Sequence, residues 1–196
     1  MSMEHSRAVY LSVQELLILF YKRKISGLVF PEEIGEASAD DRQLKQAMEG
    51  LIAGRHLEPE DGERFRVAQE TDRWMCLLAD ATQTCVVRTR EPRGERRNFI
   101  YRRDQEALLL EMDRTHDAWV RIEEVSFSEA LSRAADHEAP VLIEAYRRGE
   151  NKPEKTLRLT PGKDDRYMLE TGDGRRISEN CTTEELLQAL TEPDAV

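Results

Sequence analysis

The side chains best suited to chemistry in this sequence are arginines. Between Val86 and Asp104, seven of them (Arg88, Arg90, Arg93, Arg96, Arg97, Arg102 and Arg103) surround the turn Pro92-Arg93-Gly94. A guanidinium is a planar fork of donors that matches carboxylates and phosphates and stacks on rings. Its chemistry is recognition, not bond breaking. Other constellations are poorer. His116-Asp117 and Glu123-Glu124 are adjacent pairs, and neighbours in a strand point to opposite faces, so neither makes a metal site alone; a turn explains His116-Asp117 more simply. "TGDGRR" (171–176) holds two glycines, but a hairpin turn explains them better than a phosphate cradle. Gly-rich nucleotide fingerprints and a nucleophile elbow are absent from the sequence. No candidate base has an obvious nucleophile partner. Cys76, Cys85 and Cys181 form no CxxC pair, and His5, His56, His116 and His137 lack ligand spacing. That argues against zinc and against a disulfide framework. The sequence therefore reads as a non-enzymatic binding module with no implied cofactor.

Composition narrows the partner. The chain has 196 residues, 29 Lys+Arg against 39 Asp+Glu, and a formal charge of -10. An acidic balance disfavours a dedicated nucleic-acid binder, whereas a local basic patch suits an acidic protein partner. The longest apolar run, Leu16 to Tyr21, is far below the roughly 18 residues of a membrane span. The N-terminus lacks a basic-then-apolar leader layout. The expectation is a cytoplasmic protein without membrane insertion.

The elements that must position the arginines begin with "LSVQELLILFYKRK". Ser12 and Glu15 make an S-x-x-E capping box, and Leu16, Leu17, Leu19 and Phe20 supply an apolar face. Lys22, Arg23 and Lys24 suit the negative end of the helix, and Gly27 can terminate it. A second helix, "ADDRQLKQAMEGLIAG", is capped by Asp40 or Asp41, with Leu44, Ala47, Met48, Leu51 and Ile52 as its buried stripe. A small hairpin turns at Asp61-Gly62, and a third helix puts Trp74, Leu77 and Leu78 inward. Helix, helix and hairpin resemble a winged helix. From Cys85 the period changes to two, giving strands at 85–90, 98–103, 106–112 and 118–125, with turns at Arg103-Asp104-Gln105 and Thr115-His116-Asp117. A helix follows, capped by Ser126 with Glu129 three residues on.

The pattern then recurs. Strands are expected at "VLIEAYRR", "KTLRLT", "RYMLET" and "RRIS", before a helix capped by Thr182 with Glu185 completing its box. Cys85 to Val141 and Ser126 to Thr182 are both 56 residues. Ala130, Leu131 and Ala134 sit at the offsets of Leu186, Leu187 and Leu190. Either two ββββα units (about 84–136 and 140–191) pair about a pseudo-twofold into one twisted sheet, or two common meanders follow one another by coincidence. The expected fold is α+β: a winged-helix-like lobe over residues 1–82, then a quasi-twofold antiparallel sheet with two flanking helices over 83–196, packed as one globular unit.

Within this frame Arg88 and Arg90 share one face of their strand, opposite Val87 and Thr89. Phe99 and Tyr101 share one face of the next, opposite Ile100 and Arg102. Residues 91–97 have Pro92 as their one apolar side chain, so they should project as a hairpin extension. Three outcomes stand open: a solvated hairpin whose arginines face the chain's own carboxylates, a partner-binding arm, or phosphate contact with nucleic acid. Exposed ion pairs are worth roughly 0–1 kcal/mol, while a shielded interface arginine reaches about 2 kcal/mol.

The capped "LSVQEL" helix with its helical lobe, then "CVVRTREPRGERRNFIYRR", "EALLLEM", "AWVRIEEV" and "FSEALSRAAD", resembles the EspG-type chaperones of type VII secretion and their shorter Gram-positive relatives. The resemblance covers most of the chain in element order. It implies a quasi-twofold αβ fold with a central antiparallel sheet, and a cytosolic role binding the exposed tip of a helical secreted protein. A long loop between early strands would contribute, here Arg90 through Arg97. A full second helical lobe is missing from this sequence. The expected partner-binding residues are Arg88, Arg90, Arg93, Arg96, Arg97 and Arg102. Alternatives are a homodimer, an immunity protein for a secreted toxin, or a winged-helix regulator reading DNA with Arg42, Gln43, Lys45, Gln46 and Glu49. Asp40 and Asp41 at the groove-facing end of that helix would repel phosphates.

Overall fold

A computed structural model describes residues 8–35, 39–62, 64–92, 94–112, 119–134, 139–162 and 166–191. The turn expected at Thr115-His116-Asp117, His5, His137 and the candidate Arg93 lie outside the described residues.

The chain is α+β, built on one large antiparallel sheet. Its strands are β1 (Val9–Ser12), β4 (Gln83–Glu91), β5 (Gly94–Arg103), β6 (Glu106–Met112), β7 (Trp119–Ser126), β8 (Val141–Arg147), β9 (Lys155–Pro161), β10 (Tyr167–Thr171) and β11 (Arg176–Cys181). They lie in the order β1-β7-β6-β5-β4-β8-β9-β10-β11. A separate hairpin pairs β2 (Leu57–Pro59) with β3 (Phe65–Val67). The helices are α1 (Val13–Arg23), the single turn α2 (Glu32–Gly35), α3 (Asp41–Ala53), α4 (Gln69–Asp80), α5 (Phe127–Ala134) and α6 (Thr183–Thr191).

Alternation along the strands gives the sheet two apolar faces and hence two cores. One face carries Val86, Phe99, Tyr101, Leu108, Leu110, Val120 and Ile122, and packs against α1, α3 and α4 through Leu16, Leu19, Leu51, Trp74 and Leu78. The other face carries Val87, Ile100, Leu109, Ile143, Leu157 and Leu169 beneath α5 and α6. Phe127, Ala130, Leu131, Ala134, Leu186 and Leu190 close that second core. Helices therefore cover both sides of the sheet.

Local chemistry sets the helix ends. The Ser12 hydroxyl accepts from the Glu15 amide, and Glu15 accepts from the Ser12 amide at 2.7 Å. Asp40 and Gln43 form the same reciprocal box on α3. Ser126 and Thr182 accept from the Glu129 and Glu185 amides.

Several expectations need correction. Helix α1 stops at Lys24, which adopts the left-handed conformation at φ 54°, not at Gly27. The α3 stripe is narrower than its period implied. Ala47 and Leu51 are buried, but Leu44 and Ile52 are exposed, because α3 packs on α1 along one flank. Strand β1 is an addition: Val9 to Ser12 pair with Ile122 to Trp119, so a segment preceding the helical lobe forms a sheet edge. Strand pairing runs past the expected bounds at Arg90 and Asn98 to Glu91 and Gly94, so the expected hairpin extension is a continuation of β4 and β5. Strand β11 continues to Cys181, past the expected Ser178.

Candidate partner-binding surface

Strands β4 and β5 reach beyond their neighbours. The β4–β8 ladder ends at Thr89↔Val141 and the β5–β6 ladder at Asn98↔Glu111. Residues 90–91 and 94–97 thus form a two-stranded ribbon, with Arg90 opposite Glu95 and Glu91 opposite Gly94. Gly94 holds φ 137° with open space where a Cβ would be, so backbone conformation is what this position demands of glycine.

Strand alternation puts Arg88, Arg90, Glu95 and Arg97 on the helical-lobe side. Arg88 and Arg97 are directly opposed across the ladder, a repulsive pairing of like charges. Carboxylates resolve it. Arg88 donates to Glu144 at 2.8 Å and to Glu95 at 3.5 Å. Arg97 donates to Glu95 at 2.5 Å and to Glu32 of α2 at 3.4 Å. The Arg97 bond holds the Glu95 carboxyl below its usual range, and the same bond raises the Arg97 guanidinium. On the opposite face Arg96 pairs with Glu91 at 3.5 Å. Arg90 is exposed and makes no ion pair or hydrogen bond among the described residues. These are partly solvated pairs, each worth roughly 0–1 kcal/mol.

Arg102 belongs elsewhere. It shares the α5–α6 face with Ile100, its guanidinium 4.5 Å above the Phe127 ring. It donates to the Asp104 carbonyl at 2.8 Å and to Gln83 Oε1 at 3.4 Å. The candidate arginines therefore do not form one patch. The alternation of faces within each strand was legible in the sequence. The pairing with Glu32 and Glu144 was not, because it joins residues 65 and 56 positions apart.

The other sequence candidates fall into ordinary structural roles. Glu123 pairs with Arg121 and Arg133, and Glu124 with Arg73 at 2.7 Å. The stretch 171–176 is the β10–β11 turn, closed by the Thr171 amide to the Arg175 carbonyl at 2.9 Å, with Gly174 at φ 88°. Among the described residues no group of three or more His, Cys, Asp and Glu side chains could hold a metal ion, and no helix is long and apolar enough to cross a membrane.

Sequence reasoning missed a groove on the helical lobe. About 850 Å³ in volume, it lies between the end of α1 and the segment 25–34, lined by Leu17, Phe20, Tyr21, Leu28, Phe30 and Ile34, with Lys22 and Lys24 at its rim. Tyr21 is 87% exposed, beside the buried Phe20 on the same helix. A signal was available: Tyr21 lies four residues after Leu17 and so extends the apolar face one turn further at that flank. Phe20, Phe30 and Tyr101 stack in sequence beneath the groove, at centroid separations of 4.8 and 5.4 Å. The Tyr101 hydroxyl donates to the Val29 carbonyl at 3.0 Å, and full burial pushes the phenol well above its ordinary pKa. Strand β5 thus pins the groove wall twice, through Tyr101 to Val29 and through Arg97 to Glu32.

The rim charges differ in availability. Lys22 donates to the Phe65 carbonyl at 2.7 Å, and Arg23 pairs with Asp72. Lys24 is exposed, with no such partner among the described residues. The arrangement can bind an apolar surface flanked by negative charge. No protein-family model matches the sequence, and no curated protein matches it significantly.

Proposed function

We propose that the protein is a non-catalytic adaptor that holds an amphipathic, acidic helical segment of another protein. The single observation that carries this reading is the apolar groove with exposed Tyr21 and a lysine rim. Helix-in-groove recognition uses apolar anchors one helical turn apart, and acidic residues beside them would meet Lys24 and Arg90. Exposed aromatic side chains are favoured anchors because burying one removes large apolar area at small entropic cost.

Within that class we infer a chaperone or adaptor of the EspG type, acting on a helical substrate of a type VII secretion system. Three features support the inference. The strands run β7-β6-β5-β4 on one side of the centre and β8-β9-β10-β11 on the other. Val87 pairs with Ile143, the residue 56 positions later, which is the pairing that a local twofold between β4 and β8 would give. Helices α5 and α6 close the same core, as such an axis requires. In this reading α1, α3, the β2–β3 hairpin and α4 are the winged-helix-like lobe of residues 1–82, present once, and the second unit has no counterpart to it. A DNA-reading role for α3 is disfavoured by Asp40 and Asp41 at its N-terminal end, where Asp40 is committed to the cap.

The test is co-expression with small helical secreted proteins encoded beside this chain, followed by affinity purification. Tyr21→Ser combined with Lys24→Glu should abolish recovery of the partner. Arg90→Ala with Arg93→Ala and Arg97→Ala should reduce it. Full recovery with the groove variant would remove the groove from the mechanism. A partner identified as a toxin would make the protein an immunity factor using the same contact.

A further inference from the structure

Arg102 opens a second site. On the sheet face opposite the groove, the ends of β4, β5, β8 and β9 meet the end of α6 around a cleft of about 450 Å³. Its lining includes Gln83, Arg102, Arg147, Lys155, Thr82 and Thr191, with Asp104 and Glu154 beside them. The placement follows from register. Gln83 pairs with Arg102 on one side and Arg147 on the other, so the three stand in a row across adjacent strands.

Arg102 is fixed and uncompensated. Phe127, 1% exposed, supports its guanidinium from below. Its Nε and Nη1 donate to a backbone carbonyl and an amide oxygen, both neutral. Among the described residues it contacts no carboxylate, and its Nη2 makes no hydrogen bond. The other cations are engaged differently. Arg147 pairs with Glu154, and Lys155 donates to the Ala189 carbonyl at 2.8 Å, at the negative end of α6. A planar fork held flat with a free edge, in a cleft of small-molecule size, is the arrangement that recognises oxyanions.

We propose that this cleft binds the phosphate group of a small phosphorylated molecule, with Arg102 as its principal contact. A carboxylate offers two acceptor oxygens. A phosphate offers more, and is the better match to donors from Arg102, Arg147 and the Gln83 amide on several sides of the cleft. Phe127 orients the guanidinium, and the carboxylates of Asp104 and Glu154 select against larger polyanions. The proposal is independent of the adaptor reading, since it uses the opposite face.

Isothermal titration calorimetry on the full chain, at constant ionic strength in chloride, tests it with inorganic phosphate and glycerol 3-phosphate. Both should bind. Arg102→Gln should weaken each by about ten-fold or more, and Arg90→Gln, which removes the same charge at the hairpin, should leave both unchanged. Arg147→Gln, clear of the Phe127 stack, should also weaken binding and serves if Arg102→Gln is not folded by circular dichroism. No heat up to about 10 mM phosphate, or equal losses in Arg90→Gln and Arg102→Gln, would overturn the site. Glycerol 3-phosphate binding more weakly than inorganic phosphate would overturn its assignment to a phosphorylated molecule.

Discussion

Arg148 follows β8 and fastens the sheet to the helical lobe. Its guanidinium donates to the Ser26 carbonyl at 2.9 Å and to the Ala79 and Ala81 carbonyls, the latter at 3.2 Å, where α4 ends. Arg148→Met keeps most of the side-chain volume and removes these bonds. A hydrogen bond to a charged group contributes about 1.5–3 kcal/mol. Two independent guanidinium nitrogens are involved, the site is half-buried, and loss of a cation at a helix C-terminus adds a few tenths. The low end of each contribution gives roughly 2–4 kcal/mol, or about 5–15 °C in Tm for a chain of this size. The backbone bonds from the Arg148 amide to Thr82 and from the Gly149 amide to Gly27 survive the substitution, so the fold should be retained. Urea unfolding followed by tryptophan fluorescence suits the question, because Trp74 lies in the lobe and Trp119 in β7. Amides of residues 25–29 should exchange faster in the variant, since Arg148 holds Ser26 at the groove wall. Arg148→Lys should recover less than half of the loss, because one ammonium cannot span both attachment points. A measured loss below about 0.5 kcal/mol, the range of an ordinary surface change, would refute the idea that this residue clamps the two parts together.

Gly50 packs against the buried capping carboxylate, and a Cβ there would lie 2.1 Å from Glu15 Oε1. Gly50→Ala should therefore gain nothing in the wild type but stabilise a Glu15→Ala background by about 1 kcal/mol, as measured by a double-mutant cycle in urea. Burial pushes the Cys85 thiol up to about 12 and Cys181 to about 11, while Cys76 is only half-buried. A disulfide-exchange reagent at neutral pH should modify Cys76 first and the other two on the unfolding timescale; three equal rates would contradict the burial. His56 is held below its ordinary 6.5 mainly by burial, partly offset by Glu15 and Glu70. The unfolded chain then takes up a proton that the folded chain resists, so this residue's share of stability is present above about 6.5 and lost as pH falls through the folded value. His56→Gln should flatten that slope in pH-dependent melts. Glu95→Gln should change stability by no more than about 1 kcal/mol, yet leave Arg88 with Glu144 alone and Arg97 with Glu32 alone and so strengthen capture of an acidic helix.

Much of the scaffold could be read in advance because it is written in short-range patterns. The capping box at Ser12, the cap at Asp40 or Asp41, and the alternation of Val86, Val87 and Arg88 each depend on neighbours in sequence. What escaped was decided by distant partners. The stretch Val9–Ser12 is too short to declare itself a strand and becomes one because β7 offers an edge. Leu44 and Ile52 have the right period for burial, yet α3 packs on α1 along one flank and leaves them 40% and 37% exposed. The strand bounds expected at 90 and 98 fell short because polar residues at 91 to 97 give no apolar alternation, although the cross-strand ion pairs of Arg96 with Glu91 and of Arg88 with Glu95 are compatible with strand pairing.

The concentration of arginine in an acidic chain takes on a different meaning once those partners are known. Arg97 reaches Glu32, Arg88 reaches Glu144, and Tyr101 reaches Val29, so β4 and β5 bind segments on either side of them. The hairpin that projects Arg90 into solvent from β4 also sets the position of Phe30 through Tyr101 on β5, and through it the floor of the groove. A strut of this kind tolerates the loss of any single ion pair, since each is partly solvated, but it cannot tolerate loss of the Tyr101 hydroxyl and the Arg97 contact together without releasing the groove wall. Charge in this hairpin therefore acts chiefly on the shape of an apolar surface, and only at Arg90 and the rim lysines on what that surface attracts.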